Sequence, residues 1–262
     1  MKIEDIFKKL NGKGALIAYV AAGDPTPKST KKIVNALVEG GADIIELGLP
    51  FSDPIADGPT IQAATERALE SGMNPDLYFE MVSSLEVEVP LVCMTYYNLI
   101  FKRGLEKFVI DCINSGITGI IVPDLPIEES MELEKYCRKH GVDLIYLVAP
   151  TTPDKRIKKI ASRSSGFLYL VARLGVTGAR KDIASSTMEL LNRVQVNIPK
   201  AVGFGISNGE QAREIIRGGA DGVIVGSAFV DIIASGYDVT NRVRELAKEL
   251  KKGIISATLY NK

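Results

Sequence analysis

The stretch TKKIVNALVEGGADIIELG, Thr30 to Gly48, contains the unit on which the fold depends. Its apolar side chains recur between Ile33 and Val38 with a spacing near 3.6 residues, which predicts an amphipathic helix. From Asp43 a short apolar run follows, and its length and its final glycine predict a buried strand. A helix that leads directly into a buried strand is typical of a parallel sheet whose strands are joined by helical crossovers.

The strand-like part of this unit recurs along the chain, and helix-like segments lie between the copies. The eight runs are ALIAYVA from Ala15, DIIELG from Asp43, LVCMTY from Leu91, GIIVP from Gly119, DLIYLV from Asp143, FLYLVA from Phe167, AVGFG from Ala201 and GVIVG from Gly222. Eight right-handed crossover units in about 250 residues are the size of a closed barrel. The sequence therefore predicts an α/β fold, a single-domain (β/α)8 TIM barrel spanning residues 1–262.

Two features at the start of the chain bear on this prediction. The segment MKIEDIFKKLNGKG is amphipathic and predicts an extra N-terminal helix. An open doubly wound sheet is the alternative fold, and it would be expected to carry a glycine-rich dinucleotide turn after an early strand. The first run ends in AAGDP instead, which favours the barrel.

Composition and charge exclude several classes of partner. The chain has 32 basic and 32 acidic residues, so no net field attracts nucleic acid or a membrane surface. No apolar run reaches the length of about 18 residues that a membrane span requires. The three cysteines are an odd number without a CxxC pair, which indicates free thiols in a reducing compartment. We expect a cytoplasmic protein.

Glu46 is the candidate catalytic acid of the second run. Successive side chains of a strand point to opposite faces, so if Leu47 faces the outer helices then Glu46 faces the barrel axis. Burial of a carboxyl group disfavours its charged form and raises its pKa toward the range in which it both donates and accepts protons. A structural salt bridge is the alternative, but the eight runs contain no basic residue.

Two more acids, Asp53 and Asp57, lie in the loop FSDPIADG that follows the same run. Aspartates before proline or glycine are common turn formers, and each taken alone would be interpreted that way. Because catalytic groups of a barrel lie at the carboxyl ends of its strands, an inward glutamate at this end makes one of them a candidate second carboxylate.

Glycines at the ends of the last two runs predict a phosphate site. The seventh run ends in GFGIS from Gly203, and the eighth ends in GSA from Gly226, where a short helical pattern begins. Glycines let backbone N–H groups approach an anion, a helix start adds its positive dipole end, and these two loops are the usual phosphate site of the barrel. The loop RLGVTGARKDI after the sixth run, with Thr177 and Gly178, is expected to act as a lid within residues 173–186.

The lack of certain residue types narrows the set of possible carbon–carbon lyase mechanisms. A Schiff-base aldolase needs a lysine on a barrel strand, and none of the eight runs has one. A zinc aldolase needs several histidines, whereas His140 is the single histidine and lies at a predicted helix end. The sequence therefore predicts no metal site, and acid–base catalysis by carboxylates on a phosphorylated substrate remains.

The motifs ELGLPFSDPIADGPTIQ, LGVTG, GFGIS and VGSA together resemble the alpha subunits of tryptophan synthases, from LIAYVAAGDP near the start to the last run. The resemblance implies retro-aldol cleavage of indole-3-glycerol phosphate to indole and glyceraldehyde 3-phosphate, a carbon–carbon lyase reaction without metal or organic cofactor. By motif, Glu46 resembles the proton shuttle and Asp57 the acceptor for the indole N–H. The implied substrate-binding residues are Tyr19, Tyr96 and Phe204 around the ring, Tyr169 near Glu46, and Gly178, Gly205, Gly226 and Ser227 at the phosphate, where Thr177 of the expected lid can also cap the anion.

The resemblance also implies a partner. Asp53 and Pro54 resemble the loop that faces a beta subunit, which receives indole, holds pyridoxal phosphate and forms an alpha2beta2 assembly. Two rival functions remain open: another phosphate-binding barrel of the same pathway, which would place a lysine on a strand or acids on different strands, and a catalytically silent barrel that only activates a partner. The silent barrel would keep the Asp53 loop without needing both Glu46 and Asp57.

Overall fold

The computed structural model describes residues 1–171, 180–203 and 205–258, with the backbone alone over 180–185. These residues form nine strands and twelve helices. The strands are β1 (Ala15–Ala21), β2 (Ile44–Gly48), β3 (Leu91–Met94), β4 (Ile117–Ile121), β5 (Asp143–Ile145), β6 (Leu147–Val148), β7 (Leu168–Val171), β8 (Lys200–Gly203) and β9 (Gly222–Val225). The helices are α1 (Ile3–Leu10), α2 (Pro27–Glu39), α3 (Pro59–Glu70), α4 (Pro75–Ser83), α5 (Tyr97–Arg103), α6 (Leu105–Asn114), α7 (Met131–His140), α8 (Asp154–Arg163), α9 (Arg180–Arg193), α10 (Gly209–Arg217), α11 (Ser227–Ala234) and α12 (Val239–Thr258).

All nine strands pair in parallel in one sheet, in the order β5-β4-β3-β2-β1-β9-β8-β7-β6. The two ends of this order, β5 and β6, are pieces of the single predicted run DLIYLV, interrupted at Tyr146. The backbone N–H of Tyr146 donates to the Ser164 hydroxyl at 3.2 Å rather than to the neighbouring strand, which explains the interruption. Because one run pairs with β4 on one side and β7 on the other, the sheet closes and the predicted eight-unit barrel is confirmed.

The strand register separates two apolar layers. Ile45 and Leu47 belong to the outer layer, which packs between the strands and the helices. Ile44 belongs to the inner layer inside the barrel, together with Ile17, Val92 and other strand residues. Glu46 has the same parity as Ile44, so its side chain points into the barrel as the alternation of the sequence predicts.

Helix α1 closes the amino-terminal end of the barrel. Its residues Ile3 and Ile6 are buried in the inner layer, and Phe7 approaches Phe167 with ring centroids 6.2 Å apart. The extra N-terminal helix predicted from the sequence is therefore present. Helix α1 thus covers the end of the barrel opposite to the carboxyl ends of the strands.

Two sequence predictions need correction here. The segment predicted as a lid loop overlaps α9, which begins at Arg180, while residues 172–179 lie outside the described part. Strand β8, which corresponds to the seventh predicted run, begins one residue before that run and so includes Lys200, the one basic residue in the described strands. Lys200 lies at the amino-terminal end of β8, where its backbone N–H donates to Asp221 at 2.8 Å, so it lies far along the strand from the open end of the barrel.

No helix in the described ranges is long and apolar enough to cross a membrane.

Candidate active site

A cavity of about 180 Å³ opens at the carboxyl ends of the strands. Most of its wall is apolar, with two carboxyl groups and two phenol rings among the lining side chains. The residues that line it are Tyr19, Glu46, Ala56, Asp57, Gly58, Ile61, Met94, Pro123, Leu147, Tyr169, Val171, Gly205, Ile224, Gly226 and Ser227. The structure thus brings both acids and the glycines of the two last strand ends to one cavity.

Glu46 projects from the middle of β2, where its backbone pairs with Tyr19 on β1 and Val92 on β3. Its side chain is 0% exposed, and neither Oε1 nor Oε2 has a hydrogen-bond partner among the described residues. Burial, followed by the negative charge of Asp57, raises the pKa of Glu46 to about 8. This carboxyl group is therefore mostly protonated at neutral pH and faces an apolar space with its proton available.

Asp57 lies in the loop between β2 and α3 and is half-buried. The helix begins directly after it, because Gly58 is the N-cap and Pro59 the first helical residue, a position that proline favours. The side-chain amide of Gln62, one turn into the helix, donates to the backbone carbonyl of Asp57 at 2.8 Å. Burial raises the pKa of Asp57, and a hydrogen bond from the Tyr96 hydroxyl opposes this rise.

Tyr19 and Tyr169 occupy equivalent positions on the walls of the cavity. Each ring leans over a glycine of the next strand: a side chain on Gly48 would overlap the Tyr19 hydroxyl, and one on Gly203 would overlap the Tyr169 hydroxyl. Burial raises the pKa of both phenols, so they stay neutral. Two glycines therefore make room for two uncharged aromatic side chains in the cavity that holds the buried acid.

Tyr96 is placed differently from the sequence prediction, which had it in the wall of the cavity. It is buried behind the loop of Asp57, and its hydroxyl accepts the backbone N–H of Ala56 at 3.0 Å. The reason is that Tyr96 follows β3 at the N-cap of α5, beyond the end of the strand, so its side chain reaches sideways under the neighbouring loop. Its hydroxyl contacts the backbone of that loop, and Tyr96 is not among the residues that line the described cavity.

One rim of the cavity is built from the ends of two adjacent strands. Gly205 follows β8, Gly226 follows β9, and α11 begins at Ser227 with Gly226 as its N-cap. Exposed backbone N–H groups and the positive end of a helix at this rim are suited to an anion. The other residues predicted for the ligand, Thr177, Gly178 and Phe204, lie outside the described residues.

Sequence reasoning missed several apolar lining residues. Met94, Leu147 and Ile224 lie on strands with inward parity, so extending the alternation from Glu46 to the other runs would have found them. Ile61 and Pro123 carry no comparable signal, because their contact with the cavity depends on how a helix and a loop pack over the barrel end. Within the described ranges no three His, Cys, Asp or Glu side chains gather in a group that could hold a metal ion.

A closed parallel barrel whose cavity at the carboxyl ends of the strands holds a buried glutamate, a second carboxyl group and the glycines of two strand ends has the architecture of a (β/α)8-barrel enzyme. Comparisons with known proteins give the family. The model of the family described as tryptophan synthase alpha chain matches residues 7–257. The alpha chain of Methanosarcina barkeri is 61% identical over 259 residues, covering 98% of each chain.

Solved structures agree with the sequence comparisons. The tryptophan synthase alpha subunit of Legionella pneumophila superimposes with a TM-score of 0.88 at 33% identity, covering 98% of this chain and 99% of that one. A chain of the tryptophan synthase a2b2 complex of Pyrococcus furiosus gives a TM-score of 0.86 at 42% identity, covering 90% and 97%. This protein belongs to the tryptophan synthase alpha chain family.

Proposed function

We propose that this chain cleaves indole-3-glycerol phosphate to indole and glyceraldehyde 3-phosphate, with Glu46 as the group that transfers the proton and Asp57 as the acceptor of the indole N–H. The observation that carries the proposal is the fully buried Glu46 carboxyl group, unpartnered among the described residues, whose pKa is raised to about 8 inside a mostly apolar cavity. Such a group is an effective acid at neutral pH because its charged form is disfavoured.

The reaction requires one proton to move between two atoms of the substrate. Indole leaves readily only after its C3 is protonated, and Glu46 in its protonated form supplies that proton. The carboxylate that results then accepts the proton of the hydroxyl on the adjacent glycerol carbon, the carbon–carbon bond breaks, and its electron pair returns to the ring. Indole and an aldehyde are the products, and Glu46 is again protonated. A single carboxyl group with a raised pKa can perform both transfers.

Asp57 stabilises the charge that develops during the first transfer. Protonation at C3 makes the ring cationic, and that charge is shared with the ring N–H. A carboxylate that accepts this N–H is worth more inside an apolar cavity than in water, because the surroundings do not screen the attraction. The two acids have different environments, since Glu46 is fully buried whereas Asp57 is half-buried and accepts a hydrogen bond from Tyr96. This difference supports opposite roles for them, one as acid and the other as anion.

The substrate phosphate is assigned to the rim formed by Gly205, Gly226 and Ser227. This rim and Glu46 line the same cavity, so the glycerol part of the substrate would extend between them. Loops after the last two strands and the start of a short helix are the usual phosphate site of the barrel. The carboxylate acid–base chemistry proposed here needs neither a metal ion nor an organic cofactor in this chain.

A beta subunit is the proposed partner, as the name of the Pyrococcus furiosus complex indicates for that protein. The proposed contact surface is the loop with Asp53 and Pro54, where Ile55 is 81% exposed. Phe101 on the neighbouring α5 is 64% exposed and adds a second apolar side chain. Contiguous exposed apolar patches mark protein contact sites, and these two side chains would contribute to one. We assign pyridoxal phosphate to that partner. For this chain we propose a cytoplasmic location.

The test supplies indole-3-glycerol phosphate to the purified chain and follows indole release, with and without a cognate beta subunit. We expect slow turnover alone and a large gain with the partner. Glu46→Gln should abolish turnover in both conditions, while Glu88→Gln, at an exposed position of the same residue type, should leave it unchanged. Absence of indole release even with the partner would overturn the proposed function, and an active Glu46→Gln variant would remove Glu46 from its role.

The same experiment separates the rival functions. A silent, activating barrel would raise the activity of the beta subunit without releasing indole itself, and Glu46→Gln would not change that gain. A related barrel enzyme with a catalytic lysine would require that group near the cavity, whereas Lys200 lies at the opposite end of its strand. The buried carboxyl group therefore favours the lyase over both rivals.

A further inference from the structure

The loop between β2 and α3 is held from behind by one side chain, Tyr96. At the end of the loop, the Tyr96 hydroxyl accepts the backbone N–H of Ala56 at 3.0 Å. At its start, the ring of Phe51 stacks on the ring of Tyr96, with centroids 5.3 Å apart and planes 30° from parallel. Tyr96 is itself buried, with 4% of its surface exposed. Both ends of the loop are thus fastened to one fixed ring.

The hydroxyl proton of Tyr96 has a definite acceptor. Because the oxygen accepts the N–H of Ala56, its own proton is free to be donated, and the Asp57 carboxylate next along the chain lies within hydrogen-bonding reach. Burial raises the pKa of the phenol, and the nearby charge and hydrogen bond of Asp57 raise it further, so Tyr96 keeps its proton. The phenol therefore keeps its proton at neutral pH and remains a hydrogen-bond donor.

We propose that Tyr96 is a positioning residue for Asp57: its hydroxyl bridges the Ala56 N–H and the Asp57 carboxylate, and so fixes the direction in which the carboxylate points into the cavity. The inference rests on the proposed function of Asp57 as acceptor of the indole N–H. A hydrogen bond to the charged form also favours that form, so the same contact keeps Asp57 an acceptor. Tyr96 does not line the cavity and acts through Asp57.

The surroundings of Asp57 leave few other groups for this task. The described titratable side chains that face it across the cavity are Glu46, Tyr19 and Tyr169, all neutral at neutral pH by the raised pKa values given above. None of them is a cation that would hold Asp57 ionised. From the helix side, Gln62 holds the backbone carbonyl of Asp57 and not its carboxylate. Tyr96 and Gln62 therefore control different parts of the same residue.

The test compares Tyr96→Phe with Tyr97→Phe. Phenylalanine keeps the ring stacked on Phe51 and removes only the hydroxyl, whereas Tyr97, one residue on, has its ring near Phe101 and away from Asp57. Loss of a hydrogen bond to a charged group corresponds to a fall of about tenfold to a hundredfold. We expect Tyr96→Phe to lose that much kcat for indole-3-glycerol phosphate, with KM changed less than about threefold on the same reasoning. Tyr97→Phe should behave as the wild type.

The readout that a purely structural role would not move is the titration of Asp57. In Tyr96→Phe the charged form loses a donor, so the pKa of Asp57 rises, and the acid limb of the kcat/KM profile moves to higher pH. Carboxyl 13C NMR of labelled aspartate follows the same titration in the free protein, without any turnover. Gln62→Met should lower kcat without moving the titration, because it releases the main chain alone.

Each outcome bears on one claim. An Asp57 titration that is the same in Tyr96→Phe and wild type would overturn the inference, as would an equal loss of kcat in Tyr97→Phe. If the wild type with its partner releases no indole, the proposed function fails, whereas the NMR titration still decides whether Tyr96 controls Asp57. If Tyr96→Phe moves the titration but not kcat, Tyr96 holds Asp57 and the assigned role of Asp57 in the reaction is wrong.

Discussion

Replacing Glu46 with glutamine should change how the stability of the protein depends on pH. The pKa of Glu46 is raised from its ordinary value of 4.5 to about 8 by burial and by the charge of Asp57. Between these two values the folded chain holds a proton that the unfolded chain has released. The contribution of Glu46 to the free energy of unfolding is therefore lost progressively as the pH rises through this window. In the folded chain the carboxyl group must either take up a proton from increasingly basic solvent or be buried with its charge, and both cost free energy.

The magnitude follows from the gap between 4.5 and about 8. At about 1.4 kcal/mol per pH unit, the full penalty above pH 8 is about 5 kcal/mol. The loss of unfolding free energy is about 1 kcal/mol at pH 5 and about 3 kcal/mol at pH 7. Glutamine has nearly the same shape and does not titrate, so the variant lacks this loss. Its unfolding free energy relative to the wild type should rise by about 4 kcal/mol between pH 5 and pH 9.

Urea unfolding followed by circular dichroism measures this difference at several pH values. Only its change with pH is diagnostic, because the buried amide of the variant adds a cost that is the same at every pH. Glu88→Gln is the matched control: Glu88 is exposed, so its difference from the wild type should stay flat.

A difference between Glu46→Gln and wild type that does not change from pH 5 to pH 9 would refute this reasoning. It would mean that Glu46 is ionised in the folded protein, stabilised by a partner, and that the cavity does not hold a neutral acid.

Three further outcomes follow from the same site. The kcat/KM for indole-3-glycerol phosphate should fall above about pH 8, because Glu46 loses the proton that it donates; a profile that stays level to pH 9.5, roughly one and a half units beyond that pKa, would contradict this. Gly226→Val should raise KM about tenfold or more by crowding the rim and Tyr19, whose ring atom Cδ1 would lie 3.3 Å from the added Cβ; steady-state kinetics with an unchanged KM would argue against the phosphate site. Ile55→Asp should weaken binding of the beta subunit about tenfold or more in calorimetry, while Ile255→Asp on α12, another exposed isoleucine, should not; equal effects would mean that the loop is not the contact.

The fold could be predicted because its signal is repeated. Each of the eight units carries a run that is apolar on both faces and an amphipathic helix, and a parallel sheet built of such units closes at this number. The inward position of Glu46 follows from the same regularity, since alternation along β2 leaves one choice of face once Leu47 packs on the helices. The position of Gly205 and Gly226 at two adjacent strand ends beside the cavity could be predicted for the same reason, whereas phosphate binding there stays a prediction.

What could not be predicted lies where the periodicity ends. The interruption at Tyr146 depends on the Ser164 hydroxyl, which takes a backbone N–H that a strand would otherwise use. The place of Tyr96 behind Asp57, and not in the cavity wall, depends on a contact between residues 40 positions apart in the chain. Alternation of polar and apolar residues fixes which face of a strand a side chain takes, but the direction of a side chain beyond the strand end is set by the loop that packs over it. The barrel and its buried Glu46 could therefore be predicted from the sequence alone. The contact between Tyr96 and the loop of Asp57 is decided only by the tertiary structure, because it joins residues that are distant in the chain.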